Sequence, residues 1–400
     1  GVPAGASLSL GTDNGDGTWT IDSAADLAAL AGLTFTAAGD WSAPAAGAPA
    51  GDPSGGENRR RGIGLGIDAG GTYTDAVLYD FGSEQVSGWS KAPTTHERYE
   101  KGIAASLGGL LEKVPRESAA GVTLVSLSTT LATNAIVEGK GGRAGLILVG
   151  YDHHSLKKLD LQPLVNIRGK HSIAGELVEP LDLDEAAAAV EKLLEKGVDA
   201  IAVSSEVGPR NPEHELMVRE LLTRRCDLPV ILGSELTDEL NCVKRANTCF
   251  FNARLIPLVT DLLESVKSSL EQRGINAPVM VVKGDGTLMS EQAARIRPIE
   301  MILSGPAASV VGGAYLSGAR TCYVVDMGGT TTDIAVVEEG TVAFKEEGIS
   351  IDGFRTAVRT VDVHTFGLGG DSYVQLSRSR EVQVGPRRVV PVSFLAHHWP

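Results

Sequence analysis

The sequence predicts an α/β protein of two lobes related by internal duplication. Three observations carry that prediction. The pattern DxGGTxTD occurs twice, as Asp68-Ala-Gly-Gly-Thr-Tyr-Thr-Asp75 and Asp326-Met-Gly-Gly-Thr-Thr-Thr-Asp333. Each copy lies between two apolar runs, Ile63 to Ile67 with Ala76 to Tyr79 in one and Cys322 to Val325 with Ile334 to Val337 in the other, so each reads as strand, glycine turn, strand. Between the copies, short buried-strand runs alternate with segments whose apolar residues recur at helical spacing. That alternation describes a mostly parallel sheet covered on both faces.

Residues 1–58 stand apart as an unrelated extension. Asp13 to Ile21 reads as a β-turn feeding a strand, and its aspartates miss the spacing of a calcium loop. Ala43 to Asn58 is rich in Ala, Gly, Pro and Ser, the composition of a flexible linker, and Arg59-Arg60-Arg61 marks its end. The segment is read as a fused or misjoined piece without a part in function.

The first lobe is assigned to residues 59–240. After its hairpin come a third strand from Ser83 to Ser90 and a helix from Thr95 to Val114 with Ile103, Leu107, Leu110 and Leu111 on one side. A buried strand from Gly121 to Ser128 ends in Ser128-Thr129-Thr130 and passes into a helix carrying Thr133 and Asn134. Arg143 to Val149 is the next buried strand. An α/β segment inserted in this lobe follows: a helix from Asp184 to Lys196 capped by Asp182 or Asp184, a strand from Ala200 to Ser204, a helix from Glu213 to Arg225 and a strand from Pro229 to Leu232.

Residues 241–400 form the second region. Val243 to Glu271 is one long helix with Pro257 expected to kink it, and its Arg245 and Asn252 point either into a cleft or onto neighbouring helix ends. Pro278 to Val282 is a strand leading to Lys283-Gly-Asp-Gly-Thr287, where Asp285 offers a metal or water contact. Leu303-Ser-Gly-Pro-Ala307 starts a helix running to Leu316. The second hairpin follows, and then Asp362 to Asp371 gives a strand and a glycine loop.

Composition excludes several function classes. A formal charge of −14 argues against a nucleic-acid surface. The four cysteines show no CxxC spacing, so neither a zinc site nor a disulfide framework is indicated and a reducing cytoplasmic setting is expected. No apolar run approaches the roughly 18 residues of a membrane span.

The hairpins carry the chemistry. Glycines let the backbone approach an anion without an intervening Cβ, and the exposed amides with the Thr hydroxyls donate to it, which makes phosphate the natural occupant. Gly70, Gly71, Thr72 and Thr74, with Gly328, Gly329, Thr330 and Thr332, are the binding candidates. The leading Asp68 and Asp326, each at the end of a strand, can hold a hydrated Mg²⁺ against phosphate oxygens or orient a reacting oxygen. Asp75 and Asp333 are read as braces. Thr130, Thr133 and Asn134 are either a helix cap or a substrate-binding set at the carboxyl edge of a parallel sheet. Ser304 and Gly305 begin a helix whose free amides form an anion site, or else an ordinary capped helix. Gly369 and Gly370 are candidates for close approach to a nucleotide, and His364 is the candidate acid or base after the aspartates. His171 and His214 are read as capping or hydrogen-bonding groups, with a metal role as the less favoured choice, and His153-His154 as surface.

Paired phosphate hairpins resemble those with which the actin, sugar-kinase and Hsp70 superfamily holds ATP. Ser128 to Gly150 (STTLATNAIVEGKGGRAGLILVG) resembles the hydantoinase A / 5-oxoprolinase family, relatives of which are ATP-dependent acetone and acetophenone carboxylases. So do Arg168-Gly-Lys-His171, Asn211-Pro-Glu-His-Glu215, Arg245 with Thr248 and Asn252, Leu303-Ser-Gly-Pro-Ala307 and the second hairpin. The resemblance implies duplicated actin-like, ribonuclease H-like lobes facing each other across ATP with Mg²⁺ or Mn²⁺. It implies hydrolysis of a cyclic amide of the hydantoin or 5-oxoproline type by carbonyl phosphorylation, in an oligomer with a hydantoinase B-like second subunit. Carboxylation of a ketone by the same ATP chemistry, and a non-catalytic nucleotide-binding module, are the alternatives. The chain reaches Pro400 short of the roughly 100 further residues that a complete second lobe needs, so that lobe is expected to be truncated.

Overall fold

The computed structural model describes residues 62–95, 99–376 and 382–390, with four short strands inside the first 61 residues. Two of these, Thr12–Asp13 and Trp19–Thr20, pair antiparallel, and the turn expected between them lies outside the described residues. The linker expected over Ala43 to Asn58 lies outside the described residues. The chain divides into two compact units, one of residues 52–312 with 342–362 and one of residues 1–51, 313–341 and 363–400.

The first unit opens with an antiparallel meander of β1 (Ile63–Ala69), β2 (Tyr73–Asp80) and β3 (Gln85–Pro93). Helix α1 (Tyr99–Leu111) packs on β2 and β3 through Ile103, Leu107 and Leu110, which are fully buried at the predicted spacing. Next, β4 (Val122–Thr129) joins β1 in parallel with Asp68 opposite Ser128, and the short α2 (Leu131–Val137) follows at once. Strand register thus brings the end of the Ser-Thr-Thr run beside the first hairpin.

The inserted segment forms its own sheet of β5 (Ala144–Val149), β6 (Leu164–Ile167), β7 (Ala200–Ser205) and β8 (Val230–Leu232), in the order β6-β5-β7-β8 and all parallel. Alternate residues of its strands enter different cores. Ile147, Val149, Ile201 and Val203 pack with α3 (Leu183–Leu194) and α4 (Glu213–Thr223), whereas Leu146, Leu148, Ala200 and Ala202 face the other cluster. Both faces are covered, so β5 and the first four residues of β7 are apolar and buried without alternation. Asp182 caps α3 by accepting from the amides of Asp184 and Glu185.

Helix α5 (Cys242–Glu271) starts under an Asn241 cap and packs against β5, β7, β8 and α1. Pro257 breaks one rung of its ladder, and beside it the Arg254 carbonyl accepts from the Gly142 amide at 2.9 Å. Arg245 and Asn252 take the structural option: Arg245 is fully buried and donates to the carbonyls of Ser205, Glu206 and Glu239, while Asn252 bonds to Ile296 and Ile299. Replacing Arg245 by Met removes the donors of three carbonyls and should lower stability to urea by about 2 kcal/mol. An unchanged unfolding midpoint would show that water replaces the guanidinium.

After α5, β9 (Val279–Val282) joins β4 in parallel and β10 (Leu288–Ser290) closes the edge, giving the order β10-β9-β4-β1-β2-β3. This sheet is mixed, which corrects the expectation of a mostly parallel one; the hairpin motif itself sets β2 antiparallel to β1, and β3 follows antiparallel to β2. The compact units do not divide at residue 240, because α5 and β9 complete the first sheet and its cover. Asp285, in the loop after β9, accepts from the Thr287 amide and hydroxyl and pairs with Lys283, so its carboxylate is engaged locally. Helix α6 (Ser304–Ser317) follows.

His171, in a small hairpin with Leu177–Glu179, and His214, in the first turn of α4, stack at 4.0 Å between ring centroids and are both buried. Neither caps a helix, and among the described residues no group of three or more His, Cys, Asp or Glu gathers to hold a metal. Burial, then His171, lowers the His214 pKa below its ordinary 6.5, with Glu213 opposing. The unfolded chain therefore binds more protons beneath pH 6.5, and stability is lost as pH falls through that value. Denaturation at a series of pH values should show a slope of up to about 1 kcal/mol per unit that His214→Phe flattens.

In the second unit, β11 (Cys322–Met327), β12 (Thr332–Glu338) and β13 (Val363–Phe366) pair antiparallel with β12 in the middle. Separately, β14 (Ser372–Leu376) and β15 (Val382–Arg388) pair antiparallel. The three strands β11, β12 and β13 repeat the antiparallel pattern of the β1-β2-β3 meander. No described helix is long and apolar enough to cross a membrane.

Candidate functional site

The two motif copies fold alike. In the first, Asp68 lies opposite Asp75 and the Gly70 amide donates to the Tyr73 carbonyl at 3.1 Å; in the second, Asp326 lies opposite Asp333 and the Gly328 amide donates to the Thr331 carbonyl at 2.8 Å. The sequence repeat is therefore a repeat of register and turn. It also narrows the binding groups, since the Gly70 and Gly328 amides close their own turns and the tips are Gly71-Thr72 and Gly329-Thr330.

Around the first tip, four elements of one unit converge. Ser128 of β4 donates to Asp68 Oδ1 at 2.7 Å, which orients the carboxylate. A Cβ added at Gly71 would lie 3.6 Å from Asn134 Nδ2 and 3.8 Å from Thr130 Oγ1. One added at Gly305 would lie 3.5 Å from Thr130 Cγ2 and 3.9 Å from Asp68 Oδ1. Asp68, Gly71, Thr130, Asn134 and Gly305 thus share one neighbourhood, at distances that are ordinary van der Waals contact. Asn134 Nδ2 donates to Thr130 Oγ1 at 3.3 Å.

Other predicted groups serve to build this arrangement. The Ser304 hydroxyl, fully buried, both accepts from the Thr129 amide and donates to the Thr129 carbonyl, tying α6 to the end of β4. Thr133 Oγ1 accepts from the Leu303 amide. Leu303 itself sits at φ 61°, a left-handed conformation that costs a bulky residue about 1–2 kcal/mol and that these bonds hold in place. The Thr74 hydroxyl is fully buried and meets Thr94 Oγ1 at 3.0 Å, while Thr94 also donates to the Gly70 carbonyl. Thr74, Thr133 and Ser304 are accordingly braces and not open ligand-binding hydroxyls. Asp75 pairs with Lys91 at 3.2 Å on the strand surface.

The second hairpin is braced differently. Thr332 is buried and donates to the Leu368 carbonyl at 2.7 Å, so it too is withdrawn from a ligand. Asp333 accepts from Thr365 Oγ1 at 2.6 Å. Burial raises its pKa, the Thr365 bond counters this, and the Asp326 charge across the ladder adds to the rise. Gly370 and Asp371 donate to the carbonyls of Gly328 and Gly329, and a Cβ at Gly369 would fall 2.5 Å from the Gly329 oxygen. Gly369 and Gly370 therefore fit the backbone of the hairpin, where the sequence suggested a nucleotide. His364 lies opposite Ile334, whereas Asp326, Asp333 and Thr365 are in register with one another. Directly paired residues share a sheet face and successive ones alternate, so His364 stands on the face away from Asp326 and is not its acid or base partner.

Ser128 and Thr94 were not among the predicted site residues. Ser128 was detectable, because a strand parallel to β1 that ends in hydroxyl residues places one beside Asp68. Thr94 carries no such signal.

Each hairpin offers its leading carboxylate among backbone amides, the facing one being engaged by a neighbour, Asp75 by Lys91 and Asp333 by Thr365. That donor set fits Mg²⁺ held mainly by water and phosphate oxygens, since this ion keeps much of its hydration shell, and does not form a protein cage.

The family model described as Hydantoinase/oxoprolinase N-terminal region matches residues 64–226, and the one described as Hydantoinase/oxoprolinase matches residues 245–391. The chain is 32% identical to caprolactamase subunit alpha of Pseudomonas jessenii over 81% of its own length and 50% of that subunit. It is 25% identical to acetophenone carboxylase gamma subunit of Aromatoleum aromaticum, covering 80% of this chain and 49% of the relative. It is also 25% identical to 5-oxoprolinase 1 of Arabidopsis thaliana, covering 84% and 29%. The crystal structure of ATP-dependent caprolactamase from Pseudomonas jessenii superposes with a TM-score of 0.66 at 29% identity, over 82% of this chain and 51% of that one. Nucleotide-free acetone carboxylase gives 0.67 at 24% identity over the same shares, a likeness of fold. The chain spans at most about half the length of these relatives.

Proposed function

The chain belongs to the hydantoinase/oxoprolinase family, and from that premise we propose that it is the ATP-binding part of an enzyme that hydrolyses a cyclic amide after phosphorylating its carbonyl oxygen. The observation that carries this reading is the identical register and turn bond of two Asp-initiated glycine hairpins in one chain. Identical geometry supports identical chemistry, namely phosphate held by tip amides.

In this proposal the amides of Gly71, Thr72, Gly329 and Thr330 and the two exposed Thr hydroxyls donate to phosphate oxygens. Asp68 and Asp326 hold Mg²⁺ or Mn²⁺ through its water shell. Ser128 fixes the Asp68 carboxylate, and Thr130 with Asn134 presents polar groups beside it for the substrate carbonyl. Bound ATP supplies the phosphoryl group that turns an unreactive amide carbonyl into one that water can open. Positioning and charge neutralisation are the contribution of the protein. The caprolactamase and carboxylase relatives are subunits by name, which supports a second subunit of the hydantoinase B type completing the enzyme. A reaction that consumes ATP is in keeping with the cytoplasmic setting proposed for it.

Titration calorimetry with Mg·ATP on the wild type and on Asp326→Ala tests the site. Heat should be lost in the variant, and equal heats would remove Asp326 from it. Turnover of ATP with hydantoin, 5-oxoproline or a larger lactam, against acetone plus bicarbonate, tests the reaction. Stimulation by the ketone alone would make the protein a carboxylase component.

A further inference from the structure

Within the first unit, a cavity of about 830 Å³ opens at the edge where β5, β6 and β7 begin. It uses none of the residues assigned to phosphate and lies beyond the C-terminal end of α2. Its size is that of a small-molecule site. One wall is aromatic, with Phe251 and Phe354 edge to face at 5.3 Å. Three cations, Arg143, Lys196 and Arg254, line it against two acids, Asp160 and Asp352.

Arg254 is the distinctive member. It projects from α5 half-buried, and its Nη2 donates to the carbonyls of Gly139 and Lys140 at 2.9 and 3.2 Å. Among the described residues no carboxylate pairs with it. Burial alone shifts its pKa, and the shift is downward, as expected for a cation that has lost water without gaining a counter-charge. A guanidinium in that state favours a carboxylate, which its remaining Nη1 and Nε protons can meet in a charge-assisted hydrogen bond. Gly141 and Gly142 keep the adjoining loop tight against α5: a Cβ at Gly141 would stand 3.1 Å from the Arg254 carbonyl and one at Gly142 2.9 Å from Pro257. The wall that presents Arg254 is therefore built of close-packed backbone.

We propose that this cavity binds a small organic anion, an acyl or aryl carboxylate whose charged end pairs with Arg254 and whose apolar body lies along Phe251 and Phe354. The site is separate from the ATP reading and stands or falls without it.

The test needs no ATP. Binding of 8-anilinonaphthalene-1-sulfonate is followed by fluorescence, with uncharged N-phenyl-1-naphthylamine as the control and benzoate or benzamide as competitor. Arg254→Gln should weaken the sulfonate about tenfold, the value of one charge-assisted contact, and leave the neutral probe unchanged. Should Arg254→Gln fold poorly, the exposed double change Arg143→Glu with Lys196→Glu must weaken the sulfonate as well. Benzoate should displace the probe and benzamide should not. Equal sulfonate affinity in the wild type and in every folded variant, or equal displacement by benzamide, overturns the proposal.

Discussion

Asp68→Asn is expected to lower ATP turnover by roughly 10²- to 10³-fold while the protein melts within a degree or two of the wild type, the usual consequence of removing one charge that acts in the transition state. Asparagine keeps an oxygen able to accept from Ser128, so the local bond at 2.7 Å survives. What disappears is the negative charge that the proposed function sets against Mg²⁺ and the transferring phosphoryl group. Asp75→Asn is the matched control. Its carboxylate pairs with Lys91 where both side chains are largely exposed, and such a pair contributes at most about 1 kcal/mol. The two variants change the same chemical group on facing residues of one hairpin, yet they should differ by at least tenfold in turnover. Equal losses would mean that the hairpin needs charge for its stability and that neither Asp acts on the nucleotide.

That contrast rests on geometry that the sequence partly showed. The two hairpins were legible because glycine turns between alternating strands leave few choices of register, and the Ser-Thr-Thr run was legible as the end of a buried strand, whereas its place beside Asp68 follows from the parallel register of β4 on β1. Thr74 was readable as a brace too: it shares a face with Ala76 and Leu78, all three buried, so strict alternation points its hydroxyl inward. Counting it as a ligand treated the motif as a string and not as a pleated strand. His364 failed for the same reason, since nearness in sequence to a glycine loop says nothing of which sheet face a residue takes. Other features had no local signature. The reach of Ser304 to Thr129 spans 175 residues, and the left-handed Leu303 lies beside it with its amide bonded to Thr133. Arg245 was left open between a cleft and neighbouring helix ends because its three carbonyl partners lie on segments that only the tertiary fold brings together.

Gly369→Ala is expected to have the largest effect of any single methyl in the second unit. The added Cβ would meet the oxygen of Gly329 at 2.5 Å and the carbon and nitrogen of the following peptide bond at 2.6 Å. All three are backbone atoms, so no side-chain rotation relieves the contact, and overpacking of this kind costs about 1–3 kcal/mol. The simplest relief is for the loop to lift off, which breaks the bonds from the Gly370 and Asp371 amides to the carbonyls of Gly328 and Gly329. Hydrogen exchange at those two amides should then lose at least about tenfold of its protection, equivalent to 1.4 kcal/mol or more. If Gly329 and Thr330 bind phosphate, affinity for Mg·ATP should fall in step, because the loop fixes the very peptide that would face the ligand. Gly385→Ala is a useful comparison: it stands at φ 63°, so the methyl strains a neighbouring strand without touching the hairpin, and it should leave both readouts at the wild-type level. Loss of exchange protection without loss of ATP affinity would confine the role of the loop to folding and would shift the phosphate contacts of this unit away from the hairpin tip.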